Sequence, residues 1–343
     1  MLRAALIGYG YAGRTFHTPL IRGTPGFELA VICSSHAGRV HADLPGIRVV
    51  ASPQEACGSP SIDLVVIATP HDSHVSLATM ALRAGKHVVV EKPVATTLDE
   101  ARQLAAAAQH TDRVLAVFHN RRWDGDFLAV SDLVRRGVLG NISHLESHFD
   151  RFRPIVRDRW RERAGAGGGL WYDLGPHLVD QALRLFGLPD RVPASLAAQR
   201  AGAQSDDWAH VILEYGRRRV ILHASVLVAA PPPRFTVHGD AGSWIKYGVD
   251  AQERQLIAAL TPAAAGQAAH DDERSELIDG VTGTARELPV PRGDYRQFYV
   301  EVEAAVRGAG GNPVPLDQAL AVVAVVETAI RSSREGRSLT VPL

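Results

Sequence analysis

Residues 6–16 read LIGYGYAGRTF, and this stretch decides the fold. Gly8, Gly10 and Gly13 stand in the spacing G-x-G-x-x-G, directly after an apolar run (Leu2–Ile7) with the texture of a buried strand. A helical pattern over Ala12–Arg22 follows at once. The spacing alone is weak; the strand before it and the helix after it give it meaning. The first glycine permits a tight turn, the second lets the backbone approach a pyrophosphate, and the third lets helix pack on strand. The anion then lies at the positive end of a helix. Tyr9, Tyr11 and Ala12 complete the loop and join the glycines as cofactor-binding candidates. The bland alternative is a glycine-rich turn that holds no ligand.

Outward from the loop, short apolar runs alternate with helical stretches. Strands are expected at Phe27–Cys33, Ile47–Val50, Ile62–Ala68, His87–Val90 and Val114–Phe118, and helices at Ser52–Cys57, Ser73–Ala84 and Leu98–Gln109. The run IDLVVIA (Ile62–Ala68) is apolar without alternation, as a strand covered on both faces requires. This order predicts a doubly wound parallel sheet of the Rossmann kind with right-handed crossovers. After Asn120 the texture changes. Helices are expected at Asp126–Arg136, Pro176–Phe186, Arg296–Val306 and Asp317–Ser333. Strands at His144–Phe152, Trp208–Tyr215, Val220–Val228 and Arg234–His238 suit a mostly antiparallel, open-faced sheet in an α+β domain. Residues 258–270 read as an alanine-rich loop, and the arginine triplet 217–219 as a solvated hairpin turn. The expected domains are residues 1–121, for nucleotide, and 122–343, for substrate and oligomerisation.

Bulk properties fit two domains, because the chain has 343 residues and a domain takes roughly 100–200. The 37 basic and 37 acidic side chains cancel, so no long-range field favours nucleic acid or an anionic membrane. Only Cys33 and Cys57 occur, which excludes a disulfide scaffold and suits a reducing cytoplasm. The N-terminal apolar run is too soon interrupted by glycine for a signal peptide, and no run is long enough to span a membrane. A cytoplasmic location is expected.

The choice of dinucleotide is read after the second strand. A site for NAD normally offers a carboxylate there to the ribose 2′-hydroxyl. The sequence instead is VICSSHAGRV (Val31–Val40), with no carboxylate before Asp43. Ser34, Ser35 and Arg39 suit a 2′-phosphate, which a guanidinium can grip in bidentate fashion. NADP(H) is expected over NAD(H).

In an open parallel sheet ligands lie beyond the carboxyl ends of the strands. The fourth strand ends ATPHDSH, giving Thr69, Pro70 and His74, the last either a ligand contact or a packed structural histidine. The fifth ends VVVEKPVA, giving Glu91, Lys92 and Pro93. Lys92 follows a buried-type run and precedes a proline that fixes its direction, so its ammonium is expected in the crevice, donating to a substrate oxygen as charge develops. The sixth ends VFHNRRW, placing His119 and Asn120 at the same rim. A second motif, GGGLWYDLGPHLVDQALRLFG (Gly167–Gly187), puts Asp173 and His177 by a helix mouth. Pro176 reads as the first helical residue, so His177 is expected in the first turn, where the helix field disfavours an added positive charge. Asp173 opposes this by stabilising an imidazolium once formed, a balance suited to a reversible acid–base. The alternative is a helix cap beside a packed histidine.

Taken in order, GYGYAG, ATP, EKP, HNRRW, WRE (Trp160–Glu162) and GGGLWYDLGPHLVDQAL resemble the Gfo/Idh/MocA oxidoreductase family over nearly the whole chain. RTFHTPLI (Arg14–Ile21) and the paired serines look most like its NADP-dependent scyllo-inositol dehydrogenase branch. The resemblance implies a Rossmann domain, an open-faced sheet that often mediates dimers or tetramers, and a catalytic set of Lys92, Asp173 and His177. It also implies a cis Lys–Pro bond in EKP and a WRE segment, with Trp160 and Arg161, closing over the cofactor. The implied reaction passes a hydride between nicotinamide and a secondary alcohol of a polyol, inositol or sugar. Tyr11, Phe16, His119, Trp171 and Tyr295 are candidates for the pocket wall. The competing readings are a reductase of another cyclic carbonyl or diol substrate, and a non-catalytic NADP-sensing regulator. His144 and His148 share a strand face, but no carboxylate–cysteine cluster is apparent, and no metal is expected.

Overall fold

The structure, a computed structural model, describes all residues except Ala166, Leu260, 265–273 and Leu343. It divides into two compact units: Met1–Trp123 with Ala251–Ala268 and Asp294–Leu320, and Asp124–Asp250 with Ala269–Gly293 and Ala321–Leu343.

The first unit begins with β1 (Leu2–Ile7), α1 (Thr18–Gly23), β2 (Phe27–Cys33), α2 (Ala37–Asp43), β3 (Arg48–Val50), α3 (Pro53–Gly58) and β4 (Leu64–Ile67). It continues with α4 (His74–Arg83), β5 (His87–Val90), α5 (Leu98–Gln109) and β6 (Leu115–Val117). The strands form one sheet in the order β3-β2-β1-β4-β5-β6, all paired in parallel. That order reverses direction between β1 and β4, and the reversal is where such sheets open a crevice for a dinucleotide. Every residue of β4 and β5 is buried, which explains their unalternating sequence. Helix entries are set locally. Thr97 and Glu100 close a capping box on α5, and Ser52 accepts from the Glu55 N–H on α3.

The helix expected at Ala12–Arg22 forms, with helical backbone throughout residues 11–23. A π-type bulge covers Gly13–His17 within it, where the Thr18 N–H reaches back to the Gly13 carbonyl, and the regular α-helical part is α1. Pro19, which has no N–H to give the preceding turn, accounts for the bulge.

The second unit holds α6 (Gly125–Arg135), β7 (Ile142–Asp150), α7 (Leu170–Phe186), β8 (Ala194–Ala197), β9 (Trp208–Tyr215), β10 (Arg218–Ser225), β11 (Phe235–Gly239), β12 (Gly242–Lys246), β13 (Ser275–Asp279) and β14 (Ala285–Glu287). Its sheet runs β14-β13-β12-β11-β7-β10-β9-β8, antiparallel throughout except for the parallel pair β7–β10. Leu145 and Phe149 on β7, Val211 and Leu213 on β9, and Val220 and Leu222 on β10 bury one face in a core with Leu174 and Leu178 of α7. The opposite face stays half-exposed, as the strand period of two demands. Three helices complete the fold: α8 (Gln252–Ile257) and α9 (Arg296–Val306) in the first unit, and α10 (Leu316–Glu335), which supplies residues to both. In the stretch expected as loop, residues 258–270, Leu260 and 265–270 lie outside the described residues. Among the described residues no helix is long and apolar enough to cross a membrane.

Candidate active site

Two of the three loop glycines are required by their own surroundings, and the third faces open space. Gly8 has φ +100°, and a Cβ there would lie 2.5 Å from the Ala68 carbonyl oxygen. At Gly13 a Cβ would come within 2.1 Å of the Gly8 carbonyl oxygen, so the third glycine is what lets the chain pack on its own turn. Around Gly10 a Cβ would meet nothing within 4 Å. Open space at the second glycine and close backbone at the first and third fit a pyrophosphate-binding loop. Of the other loop residues, Tyr9 is buried and donates to Asp43 at 3.2 Å. Tyr11 donates to Glu253 at 3.0 Å and sits edge-on to Phe16, whose ring in turn faces the buried Tyr295 at 6.3 Å. Beyond β2, Ser35 and Arg39 are exposed, and Ser34 accepts from the His36 N–H at 3.1 Å. Asp43, the first carboxylate after β2, is held by Arg14 at 2.7 Å.

The strand ends step across the sheet as one rim. Ala68 N donates to Ile7 O, Glu91 N to Ile67 O, and Phe118 N to Val90 O. Thr69 and Pro70 follow β4, Glu91 and Lys92 follow β5, and the buried His119 and Asn120 follow β6. The Lys92–Pro93 bond is cis, as the resemblance implies. His74 is fully buried, with Nδ1 2.8 Å from the Pro93 carbonyl and Nε2 3.0 Å from the Thr69 carbonyl. It thereby ties the loop after β4 to the loop after β5. Burial lowers its pKa, while both carbonyls and Glu91 oppose the shift. A neutral ring has one N–H and satisfies one carbonyl at a time.

Two residues absent from the sequence reading fix the base of Lys92. His17 Nδ1 lies 2.7 Å from the Tyr299 hydroxyl and its Nε2 lies 3.1 Å from Glu91 Oε1. The other Glu91 oxygen accepts from the Lys92 N–H at 3.1 Å. Burial drives the Tyr299 pKa well up, with Glu91 adding to it, so the hydroxyl keeps its proton and donates to His17. Nε2–H of His17 then donates to Glu91. Burial pushes the Glu91 carboxyl up, but the His17 hydrogen bond and the favourable electrostatics of the His17, Lys92 and His74 side chains outweigh it and hold the group below its ordinary value. His17 belongs to the RTFH stretch, a polar residue among apolar ones beside the glycine loop; Tyr299, 282 positions away, gives no local signal.

In the second unit α7 begins at Leu170, six residues before Pro176, so the expectation that Pro176 opens the helix is corrected. Proline inside a helix removes a hydrogen bond and costs about 3 kcal/mol. Burial of Leu170, Trp171 and Leu174 ahead of it carries the helix through. Asp173 is therefore the first-turn residue, and His177 lies one turn further along on the same face. The helix-end field fades within the first turn, so it does not set the charge of His177. Arg161 Nε is 3.5 Å from Asp173 Oδ1, and the guanidinium lies 4.6 Å over the Trp160 ring. Glu162 anchors this WRE turn, bound by Arg159 at 2.7 Å and by the buried Arg200 at 3.1 Å. Trp171 is wholly buried and donates from its indole to the Val326 carbonyl at 3.2 Å.

Gly169, with φ +104°, starts α7 where a Cβ would lie 2.1 Å from Asp206 Oδ1. Asp206 caps the helix from outside, accepting from the Trp171 N–H at 2.7 Å. Burial raises its pKa to about 6 despite that bond. A folded pKa above the unfolded one means the native state holds the proton more tightly, so this contribution is present below the unfolded value of 3.8 and lost as pH rises through about 6. The expected loss is at most roughly 3 kcal/mol, less whatever solvent screens at a partly exposed side chain. Asp206→Asn should flatten this part of the stability profile in denaturant melts between acidic and neutral pH. An unchanged slope rules the account out.

Comparison with known proteins agrees with this architecture. Residues 2–119 match the model of the Gfo/Idh/MocA oxidoreductase family's NAD-binding Rossmann fold, and residues 131–343 match that of its C-terminal alpha/beta domain. The chain is 51% identical to the oxidoreductase YdgJ of Escherichia coli K12, over 98% of each chain. It is 36% identical to scyllo-inositol 2-dehydrogenase (NADP(+)) IolW of Bacillus subtilis, over 98% of this chain and 95% of that one. The solved structure of an oxidoreductase from Yersinia pestis superimposes with a TM-score of 0.94 at 47% identity, covering 100% of this chain and 97% of the other. With both of its halves matched in order, the chain belongs to the Gfo/Idh/MocA family of oxidoreductases, whose NAD-binding Rossmann fold is the unit that carries the glycine loop.

Proposed function

We propose that the protein is an NADP(H)-preferring dehydrogenase or reductase that acts on a secondary alcohol, or the matching carbonyl, of a polyol, inositol or sugar. Residues 1–121 bind the nucleotide and residues 122–343 supply the substrate side. The reading rests above all on Lys92, a partly exposed lysine at the carboxyl end of a fully buried strand whose backbone N–H is held by Glu91. His177 removes the hydroxyl proton in oxidation and returns it in reduction. Lys92 donates to the same oxygen as charge builds on it, and Asp173 orients the imidazole. Nicotinamide, when bound, takes or gives the hydride. Gly8, Gly10, Gly13, Thr69 and Asn120 line the nucleotide, with Trp160 and Arg161 closing over it. The substrate class is supported by the relative named for scyllo-inositol.

The preference for NADP is supported by what Asp43 does. Its carboxylate is committed to Arg14 and Tyr9, which leaves Ser34, Ser35 and Arg39 to meet the 2′ position. A charge-assisted hydrogen bond contributes about 1.5–3 kcal/mol, so Arg39→Ala should lower the NADP-over-NAD ratio by roughly ten- to a hundredfold. Steady-state rates with both nucleotides and a panel of inositols and aldoses test both statements. No turnover across the panel rejects the substrate class, and a wild-type ratio below about threefold rejects the nucleotide preference.

A further inference from the structure

We propose that His148, Asp150 and His223 form a binding site for one divalent first-row transition-metal ion of the zinc class, on the half-exposed face of the eight-stranded sheet. The site is independent of the residues assigned above to catalysis. It follows from the parallel register of β7 and β10, which sets His223 beside His148 and Ser225 beside Asp150. Side chains two apart on a strand share a face, so Asp150 rises next to both imidazoles.

The three side chains are close enough to share one ion. His148 Nδ1 is 3.2 Å from Asp150 Oδ2, and His223 Nε2 is 3.6 Å from Asp150 Oδ1. One donor atom from each of the three residues lies within 4.8 Å of the others. Bonds of about 2.0–2.1 Å in a tetrahedral site put neighbouring donors roughly 3.4 Å apart, so small side-chain rotations complete the set. Asp150 is only 2% exposed, His148 14% and His223 13%, and the carboxylate is thus shielded while the imidazoles border solvent.

The surrounding groups select the ring nitrogens that face inward. His148 Nε2 is 3.0 Å from Glu146 Oε2 and can keep its proton there, so an ion arriving beside Asp150 displaces only the proton on Nδ1, which lies 3.2 Å from Asp150 Oδ2. His223 Nδ1 is 3.3 Å from His210 Nδ1, which leaves its Nε2 lone pair toward the same carboxylate. His210 is itself stacked on Trp208. A metal-bound imidazole whose other nitrogen donates to a carboxylate or similar acceptor is the usual outer arrangement of such sites. Two nitrogens and one oxygen suit zinc, cobalt or nickel and not the hard cations calcium and magnesium. An ion there would pin β7 to β10 across the sheet's only parallel joint among the described residues.

The test uses the full-length, untagged chain stripped with chelator. Titration with cobalt(II) should produce the visible absorption of a four-coordinate ion at one equivalent per chain, discharged by zinc. His223→Ala and Asp150→Asn should each weaken zinc binding at least tenfold to a hundredfold in calorimetry. Glu146→Ala, which keeps all three ligands and removes only the acceptor on His148 Nε2, should weaken it about tenfold and serves if either ligand variant fails to fold. Absence of binding to the wild-type chain overturns the proposal. So does affinity unchanged in the variants, which would place the ion on other histidines.

Discussion

Replacing His177 with alanine is expected to lower turnover by roughly two to four decades, and Lys92→Ala to do the same, with affinity for the nicotinamide nucleotide near the wild-type value. In free energy that is about 3–5 kcal/mol of lost transition-state stabilisation. The two changes remove different things. His177→Ala removes the proposed proton acceptor but leaves Asp173 against Arg161 on the first turn of α7. Lys92→Ala removes the proposed donor to the reacting oxygen but leaves the backbone N–H on Glu91 and the cis bond that follows. Neither touches the glycine loop, which is why nucleotide fluorescence titrations should separate chemistry from binding. Wild-type turnover in both variants would dispose of the assignment. A loss confined to KM would instead make these residues binding groups.

The second large effect separates two glycines that the motif treats alike. Gly13→Ala drives a methyl group to 2.1 Å from a backbone oxygen of the same loop, so the loop must move before any ligand arrives. Overpacking of this kind costs about 1–3 kcal/mol, and both the melting temperature and nucleotide affinity should fall. Gly10→Ala adds its methyl into open space, and the free protein should melt as the wild type does. Its cost appears only when a pyrophosphate approaches, as one to two decades in Kd. Equal melting losses in the two variants would contradict this division of roles.

These contrasts mark what the sequence could and could not disclose. The first sheet was legible because strands buried on both faces are apolar without interruption, and because the glycine spacing sits between a strand and a helix. Length and register fixed little else. The short strands β12, β13 and β14 carry no long pattern, and α2 and α8 are brief enough to pass for turns. Pro176 misled because proline is a good helix opener, and only tertiary burial of Trp171 and Leu174 reveals that the helix is already under way. Lys92 and His177 were visible as residue types in a motif. The partners that position them were not: Glu91 is set by His17 and Tyr299, and α7 is capped by Asp206 from a distant loop. Hydrogen bonds across hundreds of residues leave no periodicity to read.

The path of the chain through the first unit bears on its synthesis. A nascent polypeptide that has emerged only as far as Trp123 already contains all six parallel strands. It still lacks the Tyr299 hydroxyl for His17, the Val314 carbonyl that takes the Val117 N–H, and the Asn312 amide that donates to Leu115. Those partners follow β7 to β14 in the chain, so the first unit cannot make these bonds on the ribosome until every strand of the second unit's sheet has been synthesised.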